Sequence, residues 1–291
     1  LEFRKEKDMD NGSKRTHYFH AYADAFGGRL YQPFEQVLTS VAPTSLPVVG
    51  GYGSAREENF RVGELISIDK AYTQVAGSTT ASGSFLTLVT SVLEGVNIDN
   101  IFFADRIALQ MSTDHPASGY FPKVSFVGTH FRGVRVGSCE LEPELNLGIC
   151  DQGDPRKYPP TSCLFDEGLR AYAREQSHKL ATSLDGLRDS ASFFERFHEL
   201  HSNGGPNTNE KIAERGNIAC SVVVGINAKG RFPGTIVGNV IEIPAFGRIH
   251  LGELLVEHGS FDLTMIRLEM GCPTTGHGSG GHGGINGSTV P

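Results

Sequence analysis

The chain has 291 residues, of which 38% are apolar and 36 are glycine, with no tryptophan and a net charge of −7. That length suffices for one large β-domain or two smaller ones. The mild acidity argues against a nucleic-acid-binding surface or docking to anionic lipid, and no apolar run is long enough to form a membrane-spanning helix.

Residues 1–16 are dominated by Lys, Arg, Asp and Glu without periodicity, and read as a flexible arm. They hold no apolar stretch of the kind that forms a secretory leader. Structure is expected from His17. There Phe19, Ala21, Ala23 and Ala25 alternate with Tyr18, His20, Tyr22 and Asp24, in a strand ending at Gly27–Gly28. After a loop rich in Pro and Gly, Asn59 to Val75 alternates again, as a strand pair or one bent strand.

Phe85 to Ser112 is the most regular stretch, with turn signals at Glu94–Gly95 and Asp99–Asn100. Its second half places Ile101, Phe103, Ile107, Leu109 and Met111 on one side of a pleat, and Ala104, Arg106, Ala108 and Gln110 on the other. Its first half is rich in β-branched residues, which also favour strand. KVSFVGTHFRGVRVGS continues the β-pattern. In CELEPELNLG, Cys139, Leu141, Leu145 and Leu147 face one way, and Glu140, Glu142, Glu144 and Asn146 the other. Pro143 cannot donate to a ladder, which places this piece at a sheet edge.

Residues 150–217 break the pattern. Around residues 164–202, Leu169, Tyr172, Ala173, Leu180 and Leu184 follow helical spacing. Gly186 interrupts them, and Ser190 or Ser192 can cap a second helix carrying Phe193, Phe194, Phe197 and Leu200. This reads as a helical insertion that packs its apolar face on a sheet, because a short helix alone is marginal in water. Strands resume from Asn217 through Met270, with the last hairpin turning at His258–Gly259. Residues 273–291, GCPTTGHGSGGHGGINGSTVP less its first two residues, read as a flexible Gly-rich tail. The fold class is therefore mainly β, an antiparallel sandwich or roll. Residues 17–149 and 218–272 form one domain around the insertion.

The order of these segments resembles the bacterial surface proteins grouped as choice-of-anchor P. The likeness is carried by AYADAFGG, SVLEGVNIDNIFFADRIALQMST, VSFVGTHFRGVRVG and IEIPAFGRIHLGELLVEHGSFDLTMIRLEM. A glycine, spaced apolar residues and an Ala-Asp pair precede a strand of small residues, here from Gly95 to Asp105 with one extra spacing. The resemblance implies an exported, β-rich module at a cell surface with no assigned activity.

Candidate chemistry is sparse. Glu140, Glu142 and Glu144 share a strand face, and such a ladder can bind Ca²⁺. A solvated edge whose charge discourages pairing explains it better. His17 with His20, and His277 with His282, are histidine pairs without the three or four fixed ligands a metal site needs. Asp105, Arg106, Asp114 and His115 would do acid–base work only if the fold gathers them. No nucleophile elbow or phosphate-binding loop occurs, and no cofactor is implied. Of Cys139, Cys150, Cys163, Cys220 and Cys272, the pair Cys150 and Cys163 flanks a Pro-rich loop and would close it as a disulfide in an exported protein. Inert thiols are the alternative. Asn11 and Asn286 head glycosylation-type triplets of the kind that arise by chance.

These features point to a structural or interaction protein rather than an enzyme. It would be extracellular and able to form a homo-oligomer or polymer through its tails or strand edges. A carbohydrate-binding sandwich using Tyr18, Tyr22, Tyr31, Tyr52 or Tyr120 is the alternative, and a hydrolase the third reading.

Overall fold

A computed structural model describes residues 16–117, 121–151, 157–183, 217–271 and 273–290. The first strands are β1 Thr16–Tyr18, β2 Ala21–Gln32, β3 Gln36–Val41, β4 Thr44–Ser45, β5 Gly51–Val62, β6 Ile66–Thr79, β7 Phe85–Ile98 and β8 Phe102–His115. Then follow β9 Lys123–Ser125, β10 His130–Arg132, β11 Arg135–Val136 and β12 Cys139–Leu145. A helix, α1 Glu167–Ser183, separates these from β13 Asn217–Ser221, β14 Val223–Lys229, β15 Thr235–Val237 and β16 Val240–Ile243. The last are β17 Gly247–Glu257, β18 Ser260–Met270, β19 Thr275–Ile285 and β20 Ser288–Val290.

The protein is an antiparallel β-sandwich. The first sheet runs β14-β12-β11-β8-β7-β6-β5, with β9 and β10 also on β8. The second runs β15-β16-β17-β18-β19-β2-β3, with β13 on β17 and β4 on β2. A separate two-stranded ribbon joins β1 to β20. Strands from before and after the helical insertion enter both sheets, so the two β regions make one sandwich. Its core is a continuous cluster that includes Phe26, Leu93, Phe102, Ile107, Leu251 and Leu268.

The β7–β8 hairpin is the long two-stranded element expected at Phe85–Ser112. Its turn is Asp99–Asn100, both residues left-handed at φ 53° and 54°, the conformation a tight hairpin turn requires. Glu94–Gly95 is not a turn. Gly95, at φ 65°, lies inside β7 in one of two rows that cross the sheets. In the first sheet, Asn59, Asp69, Gly95, Asp105 and Gly133 fall in line, and every second one is left-handed. In the second sheet the row is Gly252, Met265, Gly281, Ala25 and Ala42, again left-handed at alternate strands.

At each row the inward face changes parity. In β8, Phe102 and Ala104 are buried before it, and Ile107, Leu109 and Met111 after it. This corrects the unbroken alternation read for Ile101–Met111. A left-handed residue turns the pleat over without a register shift, because the neighbouring strands turn over at the same level.

The Gly-rich tail is also corrected. Thr275–Ile285 forms β19, an interior strand paired with β18 on one flank and β2 on the other. Its inward positions are mostly glycines because side chains of β7 in the opposite sheet and of the neighbouring β2 fill their space. A Cβ on Gly283 would lie 2.4 Å from Val89, and one on Gly280 would lie 2.8 Å from Phe26 and 3.0 Å from Leu93.

β12 is not an edge strand, since β14 pairs along it. Pro143 is tolerated there, with β11 on the other flank reaching only Cys139 and Glu140. Within the insertion, α1 is the one helix among the described residues that holds more than a single turn. Asp166 caps it by accepting from the Leu169 N–H at 2.7 Å. Leu180 packs on Ala219, Val237, Val240 and Leu255, so α1 covers part of the second sheet's outer face. Gly186 and the second helix expected from Ser190 or Ser192 lie outside the described residues.

Candidate ligand-binding face

The part of that outer face left open by α1 holds a groove of about 1050 Å³. Its floor is strand backbone at Gly27, Gly28, Gly276 and Gly278, and its walls include Glu242, Arg248, Arg267, Glu269, His277 and Ser279. Antiparallel register sets these side chains in rows. One row runs Glu242, Arg248, Glu269, His277, Arg29. The next runs His250, Arg267, Ser279, Gly27. Opposite charges directly across strands attract, so the first row supports its own register.

The charges are paired within the protein. Arg267 holds Glu253 through two parallel hydrogen bonds, Nε to Oε2 at 2.6 Å and Nη2 to Oε1 at 2.8 Å, and its Nη1 contacts Glu269. Arg248 reaches Glu242 at 3.3 Å. His250, fully buried, lies between Glu253 at 3.8 Å and Glu269 at 3.5 Å. Burial lowers the His250 pKa, and the Arg267 charge lowers it further. Burial opposes ionisation of Glu269, but its contacts with His250 and Arg267 outweigh that and hold it at about 2. Burial likewise works against the Arg267 charge, yet the two carboxylates raise its pKa overall.

A second polar cluster continues along the same face. His282 Nδ1 is 3.1 Å from Asp24, and its Nε2 is 4.0 Å from Asp262. The Tyr22 hydroxyl donates to Asp262 across the bare backbone of Gly284. Burial, then the hydrogen bond to Asp262, raises the Tyr22 pKa. The Gly281 turnover lets His277 and His282, five residues apart, point to one face. At about 3.3 Å per residue they stand roughly 16 Å apart, too far to share an ion.

The residues singled out in the sequence are mostly dispersed. Asp105 lies against Gly133 in mid-strand. Asp114 accepts from the Tyr158 hydroxyl at 3.1 Å, and His115 is buried beside His17 with ring centroids 4.8 Å apart. Asp105 and Asp114 are nine residues apart on β8, roughly 30 Å, so no acid–base cluster forms from them. Arg106 instead binds Glu94 at 2.5 Å and the Tyr72 hydroxyl at 2.9 Å. His20 is exposed and faces away from His17. Glu140 and Glu142 share Lys229, and Glu144 accepts from Asn227 at 2.6 Å. β14 thus offsets part of the ladder's charge, and among the described residues no group of three or more His, Cys, Asp or Glu side chains is set to hold a metal.

Cys150 and Cys163 are brought together as buried, hydrogen-bonded thiols, with Cys220 also buried nearby. The hydrogen bond with Cys163, then burial, raises the Cys150 pKa. Tyr31 stands beside the groove, its ring 5.8 Å from His277, with Arg29 over it at 5.4 Å. Tyr52 borders a hollow of about 600 Å³ on the first sheet. Tyr18 is exposed beside Ser288. The Asn286 N–H is engaged by the His20 carbonyl at 2.8 Å. Tyr120, Asn11 and Cys272 lie outside the described residues. Sequence reading missed the groove. The GHGSGGH alternation of glycine with His or Ser was the available signal, since it is a strand pattern with one blank face.

A family model described as a domain of unknown function, DUF8256, matches residues 17–257, which includes β17 but stops before β18 and β19. No curated protein and no solved structure matches the chain.

Proposed function

The chain belongs to the DUF8256 family, and from that premise we propose that it is an interaction module that binds carbohydrate in the groove of the second sheet. The observation that carries this is a glycine floor walled by charge-paired Arg, Glu and His side chains. Sugar hydroxyls are bound by planar groups offering donors and acceptors in fixed positions. Here the ion pairs fix Arg248, Arg267, Glu242 and Glu269 before any ligand arrives, which lowers the ordering cost of binding. Glycine floors let a ring approach the backbone closely, and Tyr31 offers an aromatic face at the rim. The resemblance to surface proteins supports an extracellular location.

A glycan array followed by titration calorimetry tests this. His277→Ala and Tyr31→Ala should each weaken a retained glycan by about tenfold, with the melting temperature unchanged. An array with no retained glycan removes the reading.

Self-association is the second reading, favoured by β5. That strand has twelve residues, and among the described residues it pairs only with β6. Strand addition at such an edge supplies backbone hydrogen bonds. The Gly-rich segment is not available for it, being hydrogen-bonded on both flanks inside its own chain. Light scattering that returns a monomer at tens of micromolar would count against assembly.

A further inference from the structure

At one end of the sandwich the β1–β20 ribbon is held against the core by two histidines on separate strands. His17 of β1 lies flat on Phe85, centroids 4.6 Å apart and planes 9° apart, and edge-on to Phe19 at 4.6 Å. His115 of β8 is its other neighbour, at 4.8 Å. Both are nearly solvent-free, 6% and 7% exposed. One nitrogen of each ring has a partner in the last strand region. His17 Nδ1 meets Thr289 Oγ1 at 2.8 Å, and His115 is bonded to the Gly287 backbone. The other nitrogens, His17 Nε2 and His115 Nδ1, have no hydrogen-bond partner among the described residues, nor do the nearby Thr87 and Thr113 hydroxyls.

We propose that this pair is an acid-sensitive latch, whose protonation releases β1 and β20 from the sandwich while the two sheets stay closed. Burial disfavours the charged form of each imidazole. A second proton would place a charge on His17 among Phe19, Phe85 and His115, or on His115 against His17. Among the described residues the charged side chain acting on His115, besides His17 itself, is Asp114, which Tyr158 engages, and none is found to act on His17. Burial alone brings His17 to about 4, and burial followed by the His17 charge brings His115 to about 4. Among the described residues the ribbon has three residue pairs, Thr16–Val290, His17–Thr289 and Tyr18–Ser288, and next to it the Phe19 N–H donates to Val48 at 2.9 Å and the Asn286 N–H to His20 at 2.8 Å. Local opening at such a site is expected before global unfolding.

Hydrogen exchange by mass spectrometry between pH 7 and 4, corrected for intrinsic rates, tests the latch. Protection in 16–19 and 286–290 should fall at least tenfold, while β7 and β8 keep theirs. The double variant His17→Phe with His115→Met should hold its ribbon protection at pH 4. Unchanged ribbon protection in the wild type would overturn the proposal. So would loss of ribbon and core protection together, and both readings stand even if the variant does not fold.

Discussion

At the scale of single residues, Arg267 is the most consequential side chain of the groove. Its partner Glu253 is 4% exposed, so removing the guanidinium leaves a buried carboxylate without its main cation. Arg267→Met should lose about 3–5 kcal/mol in urea denaturation. Glu253→Gln in the same chain should return part of that loss, and the cycle measures the coupling. Glu269 has a pH signature of the same sign as the latch histidines, in a lower pH window. Its folded pKa of about 2 lies below the unfolded value, so its contribution is complete above about 4.5 and lost as pH falls toward 2. For a shift of that size the upper bound is about 3 kcal/mol. The histidines contribute a loss between about 6.5 and 4 instead, because there the unfolded chain binds protons the folded one refuses. Stability measured against pH should show both steps, and Glu269→Gln should remove only the lower one.

At the scale of elements, β19 explains itself by what it lacks. Gly283→Val would set a branched side chain into the space of Val89, and overpacking of this kind costs about 1–3 kcal/mol, readable as a lowered urea midpoint. Ending the chain at Gly271 should abolish folding, because β18 and β2 would each lose an interior partner. A flexible tail would predict no effect, so circular dichroism of that truncation separates the two. The Cys150–Cys163 contact ties the turn after β12 to the start of the helical insertion. Refolded with a small-molecule disulfide, the chain should show this link by peptide mapping. Closing a loop of that size should raise stability by about 3 kcal/mol, reversed by reduction.

At the scale of the whole molecule, both sheets turn their pleats over along one row, and each row takes left-handed residues at alternate strands. The device lets twelve- to fourteen-residue strands keep apolar side chains inward along their whole length while the sheet bends. It also carries the polar outer face past the groove, because the Gly281 turnover brings His282 to the same face as His277 and Ser279. The side of the sandwich covered by α1 and the side left open together decide where a ligand can lie.

The sequence by itself determined the β class, the β7–β8 hairpin with its Asp99–Asn100 turn, the helix at Leu169–Leu180 and a hairpin turning at His258–Gly259, though β19 follows it and pairs with β18. Each is written in side chains that are neighbours along the chain, through period two, period 3.6 or turn chemistry. Only the tertiary structure decided that the Gly-rich end is an interior strand, that Pro143 is covered by β14, and that the pleats reverse at Gly95 and Gly281. Glycine carries no side chain to show a periodicity. Its place in a sheet is set by Val89, Phe26 and Leu93, which lie far away in sequence and fill the room it leaves.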